Sequence, residues 1–263
     1  MNVSGKKVLL TGASGGLGHA IARALAGAGA HVVLSGRRAD VLDDLAKEIS
    51  GSIAPADLSD PVAVRALAAG HADVDILVAN AGLPASGRLE TYDDDQIERA
   101  LDVNLHAPII LTHVLAPHMV ARGAGHIVFM SSLAGKTATA GSSLYNATKF
   151  GLRGFAGALR ADLHGTGVGV SAIFPGFIRD AGMFAEADIE LPKGVGTRTP
   201  EQVAEAVLEG IAKNRAEIDV APLSLRAGGW ISGAAPAALA AVQRRLGGAE
   251  VAENLAAGQS KKR

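Results

Sequence analysis

The chain has 263 residues, 25 of them Lys or Arg, 26 Asp or Glu, and none Cys. That length suits one large α/β domain with a substantial core, and the balanced charge offers nucleic acid no basic face. The lack of cysteine excludes disulfides, thiol catalysis and Cys-ligated metal, and it fits a reducing cytoplasm, where the chain is expected to work.

The start, Met1-Asn-Val-Ser-Gly-Lys-Lys7, runs straight into an apolar strand and has no signal-peptide core. Lys7–Thr11 is nearly continuous in apolar residues, as a strand buried on both faces should be. Thr11-Gly-Ala-Ser-Gly-Gly-Leu-Gly18 follows as a glycine-rich turn, and Leu17–Ala28 reads as a helix. Gly12 permits a tight turn, Gly16 lets a pyrophosphate approach the backbone, and Gly18 lets helix and strand pack closely. The helix N-terminus then offers free N–H groups and a positive dipole end to phosphates. Gly12, Ser14, Gly16, Leu17 and Gly18 are therefore candidate dinucleotide contacts.

His31–Ser35 is the second strand. An enzyme that binds a free ribose 2′-hydroxyl places Asp or Glu after it. This chain reads Ser35-Gly-Arg37-Arg38, with no acid before Asp40. A 2′-phosphate needs forked cationic donors, and Arg supplies them. Arg37 and Arg38 thus favour NADP(H) over NAD(H), although position 15 is Gly rather than a basic residue. The pattern continues with helix Ala39–Ile49, strand Ser52–Ala54, helix Pro61–Ala69, strand Val74–Ala79, one long helix Asp94–Ala121, strand His126–Ser131 and helix Ser143–Leu163. Strand Val168–Phe174, helix Pro200–Asn214 and strand Glu217–Val220 complete it. Strands alternating with helices predict a single α/β domain of the Rossmann type, doubly wound, its mostly parallel seven-stranded sheet covered by helices on both faces.

Tyr145-Asn-Ala-Thr-Lys149 opens the helix Ser143–Leu163 and puts Tyr and Lys one above the other on one face. A free phenol has a pKa near ~10 and is a poor acid at neutral pH. A fixed ammonium beside it is expected to draw the pKa down, toward roughly 7, and to make Tyr145 a proton donor for a carbonyl or a base for an alcohol. The eight His residues show no ligand spacing; His113 and His118 are five apart, and no metal is expected.

Glycine spacing G-x-x-x-G-x-G together with Tyr145 and Lys149 resembles the classical short-chain dehydrogenase/reductase family, over roughly residues 5–220. The resemblance implies an oxidoreductase that interconverts a carbonyl and a secondary alcohol with a nicotinamide cofactor. It makes Tyr145 the general acid/base, with Lys149 lowering its pKa and bonding the nicotinamide ribose. Ser132, thirteen residues before Tyr145, would hold the substrate oxygen. Asn104, in the long central helix, would organise a water-linked proton path beyond Lys149. Asp57-Leu58 would meet the adenine. Ala79-Asn80-Ala81-Gly82 stands for the family's Asn-Asn-Ala-Gly, with its first Asn lost, and Asn80, Ala81 and Gly82 would line the cofactor. Pro175-Gly176 would follow the sixth strand as in the family. Five residues after that Pro, where the family commonly has Thr, this chain has Asp180. A carboxylate beside a pyrophosphate is unfavourable, so the loop should take another path, with backbone near Ile178 serving the carboxamide.

Segment Phe177–Arg198 is long for a connector and mixes Phe177, Ile178, Met183, Phe184, Ile189 and Leu191 with Gly194 and Gly196. It reads as a lid over an apolar substrate. Ala221–Gly247 is an Ala-rich extension with Trp230 and Pro236, expected to cover the active site, to form an oligomer contact or to touch a membrane surface. Ala227–Gln243 carries no charge, but it is short for a ~20-residue membrane span and contains Gly228, Gly229, Gly233 and Pro236, so no membrane helix is expected. Gln259–Arg263 is expected to be a disordered tail. Family members commonly pair through the helix that carries the Tyr, so a homodimer or homotetramer is expected. Two other readings stand beside the reductase. Epimerase-type relatives share Tyr-x-x-x-Lys, but on longer chains with G-x-x-G-x-x-G. A non-catalytic dinucleotide sensor would not need Ser132, Tyr145 and Lys149 together.

Overall fold

The computed structural model describes residues 1–185, 195–235 and 257–258. Seven strands form a single sheet: β1 (Lys7–Thr11), β2 (His31–Ser35), β3 (Ser52–Ile53), β4 (Ile76–Ala79), β5 (Gly125–Met130), β6 (Val168–Pro175) and β7 (Glu217–Val220). Their order is β3-β2-β1-β4-β5-β6-β7, and every pairing is parallel. The order reverses between β1 and β4, which opens a crevice beyond their carboxyl ends where α/β sheets bind ligands.

Side chains along each strand alternate between two cores, as the period of two requires. Val8, Leu10, Leu34, Val78, Val128 and Ile173 meet α1 (Gly16–Gly27), α2 (Ala39–Ile49) and α8 (Pro200–Lys213) on one face. Leu9, Val33, Leu77, Ile127, Phe129 and Phe174 meet α3 (Pro61–Gly70), α5 (Ala107–Ala121) and α6 (Ser143–Asp162) on the other. Because both faces are covered, the strands read as continuous apolar runs.

Local sequence sets the helix ends. Asp60 caps α3, which has Pro61 in its first turn. Asp93 with Gln96, and Thr199 with Gln202, form capping boxes at α4 (Asp94–Leu101) and α8. Helix α8 stops at Asn214, which turns left-handed with φ 48.

The long helix expected over Asp94–Ala121 is divided. A π turn at Asp102–His106 separates α4 from α5. The extra residue per turn swings Asn104 inward, where it is fully buried. A short helix, α7 (Gly182–Ala185), lies in the expected lid, and α9 (Leu223–Ala234) begins the C-terminal extension. The remainder of both segments and the expected tail at 259–263 lie outside the described residues. His113 and His118 are exposed on α5. Among the described residues no helix is long and apolar enough to cross a membrane.

His126 on β5 is buried, and its Nε2 shares a 2.9 Å hydrogen bond with Ser171 Oγ. Desolvation, helped by the positive N-terminus and Arg160, pulls its pKa from 6.5 to about 4. The unfolded chain therefore takes up a proton between those values that the folded chain refuses. Stability should be full above pH 6.5 and fall as pH drops toward 4, by about 3 kcal/mol. His126→Gln, which has no group titrating there, should flatten that part of the curve in urea melts at stepped pH.

Candidate active site

The glycine turn closes against the loop after β4. Gly12 has φ +65, and a Cβ there would sit 2.7 Å from Ala81 Cα. A Cβ on Gly18 would lie 2.3 Å from the Gly12 carbonyl oxygen. Asn80 braces this contact: its amide donates to the Thr11 carbonyl at 3.0 Å and to the Gly12 carbonyl at 3.2 Å. Thr11 answers through its hydroxyl, which accepts from the N–H groups of Asn80 and Ala81, both at 3.1 Å. Thr11 was not among the expected site residues; its place as the last polar position before the turn was the signal. With Ala79 buried at the end of β4, Asn80 alone supplies the side-chain amide of this loop.

Helix α1 starts at this turn with no side-chain cap and no acid in its first turn. Uncapped leading N–H groups of this kind suit an anion. At the far end of the crevice Arg37 and Arg38 are exposed. Arg38 Nη2 donates to the Ser14 carbonyl, so one arginine is tied to the turn. Asp57 lies close enough to Arg37 to feel its charge: burial pushes the Asp57 carboxyl up, but hydrogen bonds from Ser59, with Arg37 and Arg99, hold it below its usual value. Leu58 is buried beside it.

The reacting end is built on α6, which brings Tyr145 and Lys149 to the ends of β5 and β6. Lys149 is 3% exposed, and its Nζ donates to the Met130 carbonyl at 3.0 Å. The same Nζ stands 5.6 Å from the centroid of the Tyr145 ring. Ser132 Oγ donates to the Pro175 carbonyl at 3.3 Å and accepts from Ala134 N at 3.1 Å. The same hydroxyl lies near enough to Tyr145 to favour its phenolate. Desolvation pushes the phenol up to about 12 against the opposing hydrogen bond from Ser132, and desolvation alone pulls Lys149 down to about 8. The expectation that the ammonium draws the phenol toward 7 is thus corrected. Each group loses water, each then prefers its neutral form, and that outweighs their mutual charging.

Asn104 Oδ1 accepts from Leu83 N at 2.6 Å, while Nδ2 donates to the Leu83 carbonyl at 3.0 Å. Both ends of the amide are engaged by the main chain of Leu83, which holds Asn104 in place beside Gly82 and Lys149. Between it and Lys149 lies Gly82, where a Cβ would be 3.4 Å from Asn104 Oδ1 and 3.7 Å from Lys149 Nζ. Asn146, which sequence reasoning passed over, ties α6 to the loop after Ser132. Its amide donates to the carbonyls of Ala134 (2.6 Å) and Thr137 (2.9 Å), and its Oδ1 accepts from Thr139 N.

After β6 the chain passes Pro175 and Gly176 to Ile178, which is buried and bridges to Arg198. Asp180 takes φ +69 and turns its exposed carboxylate to Arg179, 3.3 Å away. Ala181 instead faces the glycine turn, 2.5 Å from where a Gly16 Cβ would be. Met183 Cε similarly stands 3.5 Å from a Cβ on Gly82. Among the described residues no three His, Cys, Asp or Glu side chains gather where they could share a metal ion.

The profile of the short chain dehydrogenase family matches residues 6–191, and the chain belongs to that family. A ketoacyl reductase, HetN, from Nostoc sp. is 37% identical over 227 residues, covering 83% of this chain and 79% of that protein. Two solved structures share the fold. A short-chain dehydrogenase from Streptomyces avermitilis has a TM-score of 0.79 at 27% identity and covers 93% of this chain and 97% of its own. A short-chain dehydrogenase from Sphingobium yanoikuyae in complex with NADPH has a TM-score of 0.76 at 29% identity, covering 87% of this chain and 93% of its own.

The Asn80 brace is testable. Asn80→Ala removes two donors from the turn, each worth about 1 kcal/mol. Thermal melts should show a loss of about 1–3 kcal/mol, and dinucleotide affinity should weaken several-fold in fluorescence titration. No change in either would remove Asn80 as the brace.

Proposed function

We propose that the protein is an NADP(H)-dependent oxidoreductase that interconverts a carbonyl and a secondary alcohol on an apolar small molecule, with Tyr145 as general acid and base. The observation that carries this reading is the gathering of Ser132, Tyr145 and Lys149 at the mouth of the crevice, with the Lys149 ammonium 5.6 Å from the phenol ring and Ser132 close enough to bias the phenol. When bound, the dihydronicotinamide supplies the hydride. Gly12, Ser14, Gly16, Leu17 and Gly18 would hold the pyrophosphate, and Asp57 and Leu58 the adenine. Asn80, Ala81 and Gly82 would line the groove, Lys149 would take the nicotinamide ribose, and Pro175, Gly176 and Ile178 would face the carboxamide.

At neutral pH a phenol pushed up to about 12 carries its proton, and Lys149, at about 8, is still mostly charged. Tyr145 can then give its proton to a carbonyl oxygen as that oxygen gains charge. Ser132 steadies the same oxygen, and the ammonium offsets the phenolate left behind. An apolar substrate suits the surroundings: Ala85, Ile97 and Leu144 pack together with Tyr145, and Phe177 meets Phe184 with ring centroids 5.1 Å apart. We place the enzyme in the cytoplasm, as a homodimer or homotetramer, with Phe177–Arg198 as its substrate lid.

Preference for NADP(H) rests on Arg37 and Arg38. Arg37→Asp exchanges a forked cation for a repelling charge, so NADPH affinity should fall far more than NADH affinity in titrations of the two. Equal wild-type affinities, unmoved by the substitution, would remove the assignment.

The chemistry is tested by screening NADPH consumption over a carbonyl panel and then comparing variants on the best substrate. Tyr145→Phe should fold and bind cofactor while kcat drops by ~10²–10⁴-fold. In the wild type, reduction should decline above about pH 8, as Lys149 loses its charge. Lys149→Arg, whose guanidinium stays charged, should move that decline to higher pH. A Tyr145→Phe enzyme that keeps near-wild-type turnover would refute the catalytic reading.

A further inference from the structure

Behind the reacting residues lies a group of charges that the reaction as proposed does not use. Lys136 ends the short turn Leu133–Gly135 that follows Ser132, and it is 6% exposed. Its ammonium contacts Asp219 Oδ1 at 2.5 Å and Glu217 Oε2 at 2.8 Å, and lies 4.0 Å from the centroid of the Phe174 ring. Glu217 is shared. Its other oxygen, Oε1, accepts from Arg153 Nε at 2.7 Å, and Arg153 also stands over Phe174, at 5.7 Å. Arg226 of α9 reaches Asp219 at 3.9 Å. Glycine 229 of the same helix has room for a Cβ only 3.5 Å from Lys136 Cβ.

Lys136, Arg153 and Phe174 each belong to an element that carries part of the site. Lys136 shares its turn with Ser132. Arg153 is one helical turn beyond Lys149 on α6. Phe174 precedes Pro175, whose carbonyl accepts from Ser132. One carboxylate, Glu217, therefore grips the turn through Lys136 and the catalytic helix through Arg153. On the site side of the same joint the turn and helix touch directly: a Cβ on Gly135 would lie 2.6 Å from the Lys149 carbonyl oxygen, and Ser131 Oγ donates to that oxygen at 3.1 Å. A buried ion pair adds little net stability over apolar side chains of similar volume. What it does add is direction, because two carboxylates on β7 and a ring face on β6 fix where the turn sits.

We propose that Lys136 is a positioning residue: bridged by Glu217 to Arg153, it holds the turn bearing Ser132 in register with the helix bearing Tyr145 and Lys149. The hydroxyl of Ser132 must meet both the phenol and the substrate oxygen, and a shift of the turn by a fraction of an ångström loosens both contacts. The proposal rests on the catalytic reading above for its effect on turnover, but not for its effect on the Ser132–Tyr145 contact.

Two readouts separate these. The chain has two tyrosines, so in protein labelled with ¹³C at tyrosine Cζ the Tyr145 resonance is identified by its loss in Tyr145→Phe. Its shift at fixed pH reports the hydrogen bond at the hydroxyl. Lys136→Met should move this resonance in the same direction as Ser132→Ala, and should move it no further in the Ser132→Ala background. On a substrate found by the NADPH screen, Lys136→Met should lower kcat about 10-fold or more, leave the KM for NADPH within about twofold, and be partly rescued by Lys136→Arg. If Lys136→Met does not fold, Glu217→Gln unlinks Lys136 from Arg153 and takes its place in both measurements. An unmoved Tyr145 resonance, or a shift that simply adds to that of Ser132→Ala, overturns the proposal. A wild type that consumes no NADPH over the carbonyl panel counts against the reductase reading, and the resonance still decides this one.

Discussion

The burial of Lys149 is the constraint on which the site depends. Moving an ammonium from 10.5 to about 8 represents about 3 kcal/mol of lost preference for the charged form. Among the described residues its ammonium donates to the Met130 carbonyl, at the end of β5. That bond sets the height of α6 over the sheet, and the height of α6 sets the place of Tyr145 one turn earlier. The surroundings conform to it. Gly135 has no side chain because the Lys149 carbonyl occupies the space, and Gly82 leaves open the gap between Lys149 and Asn104. Asn104 can face that gap only because the π turn Asp102–His106 rotates it there.

The glycine turn is held by the opposite logic, contact without charge. Its close approaches, Gly18 on the Gly12 carbonyl and Gly12 on Ala81, are main chain on main chain. Thr11 and Asn80 satisfy the polar groups that such packing would otherwise strand. The outcome is an uncapped helix start backed by rigid, fully paired structure, which is what an anion site needs in order to work without reorganising.

Much of this was legible in the sequence. All seven strands were visible, the inner ones as apolar runs left by burial on both faces, with ends displaced by a residue or two as at Val74, where the strand begins at Ile76. The π turn was not, because the apolar pattern through Ala100, Val103, Ala107 and Ile110 runs on as in an unbroken helix. Tyr145 and Lys149 were found by their spacing, but their proton affinities were misjudged. Spacing reports a neighbouring charge and says nothing of how much water both groups lose. Nothing beside Lys136, which follows a glycine, marks it as buried. The sign of its burial lay eighty residues on, where Glu217 and Asp219 alternate with Ile218 and Val220 in an edge strand and so put two acids on one side of it.

The segment after β6 shows how one substitution is absorbed. The family resemblance leads one to expect Thr at position 180, where Asp180 brings a charge instead of a hydroxyl. The left-handed backbone at Asp180 turns that carboxylate outward onto Arg179, and the strain of φ +69 is modest for Asp, which tolerates this region better than most residues. The same twist delivers Ala181 to Gly16 and, two residues later, Met183 to Gly82. A single short stretch thereby touches both the glycine turn and Gly82 beside Lys149. Ala181 and Met183 make these approaches with apolar side-chain atoms, which leave the N–H groups of α1 and the ammonium of Lys149 without a competing polar partner from those two side chains. Polarity in the site is left to the turn, to Arg37 and Arg38, and to the Ser132, Tyr145 and Lys149 group, each on a regular element or at its end.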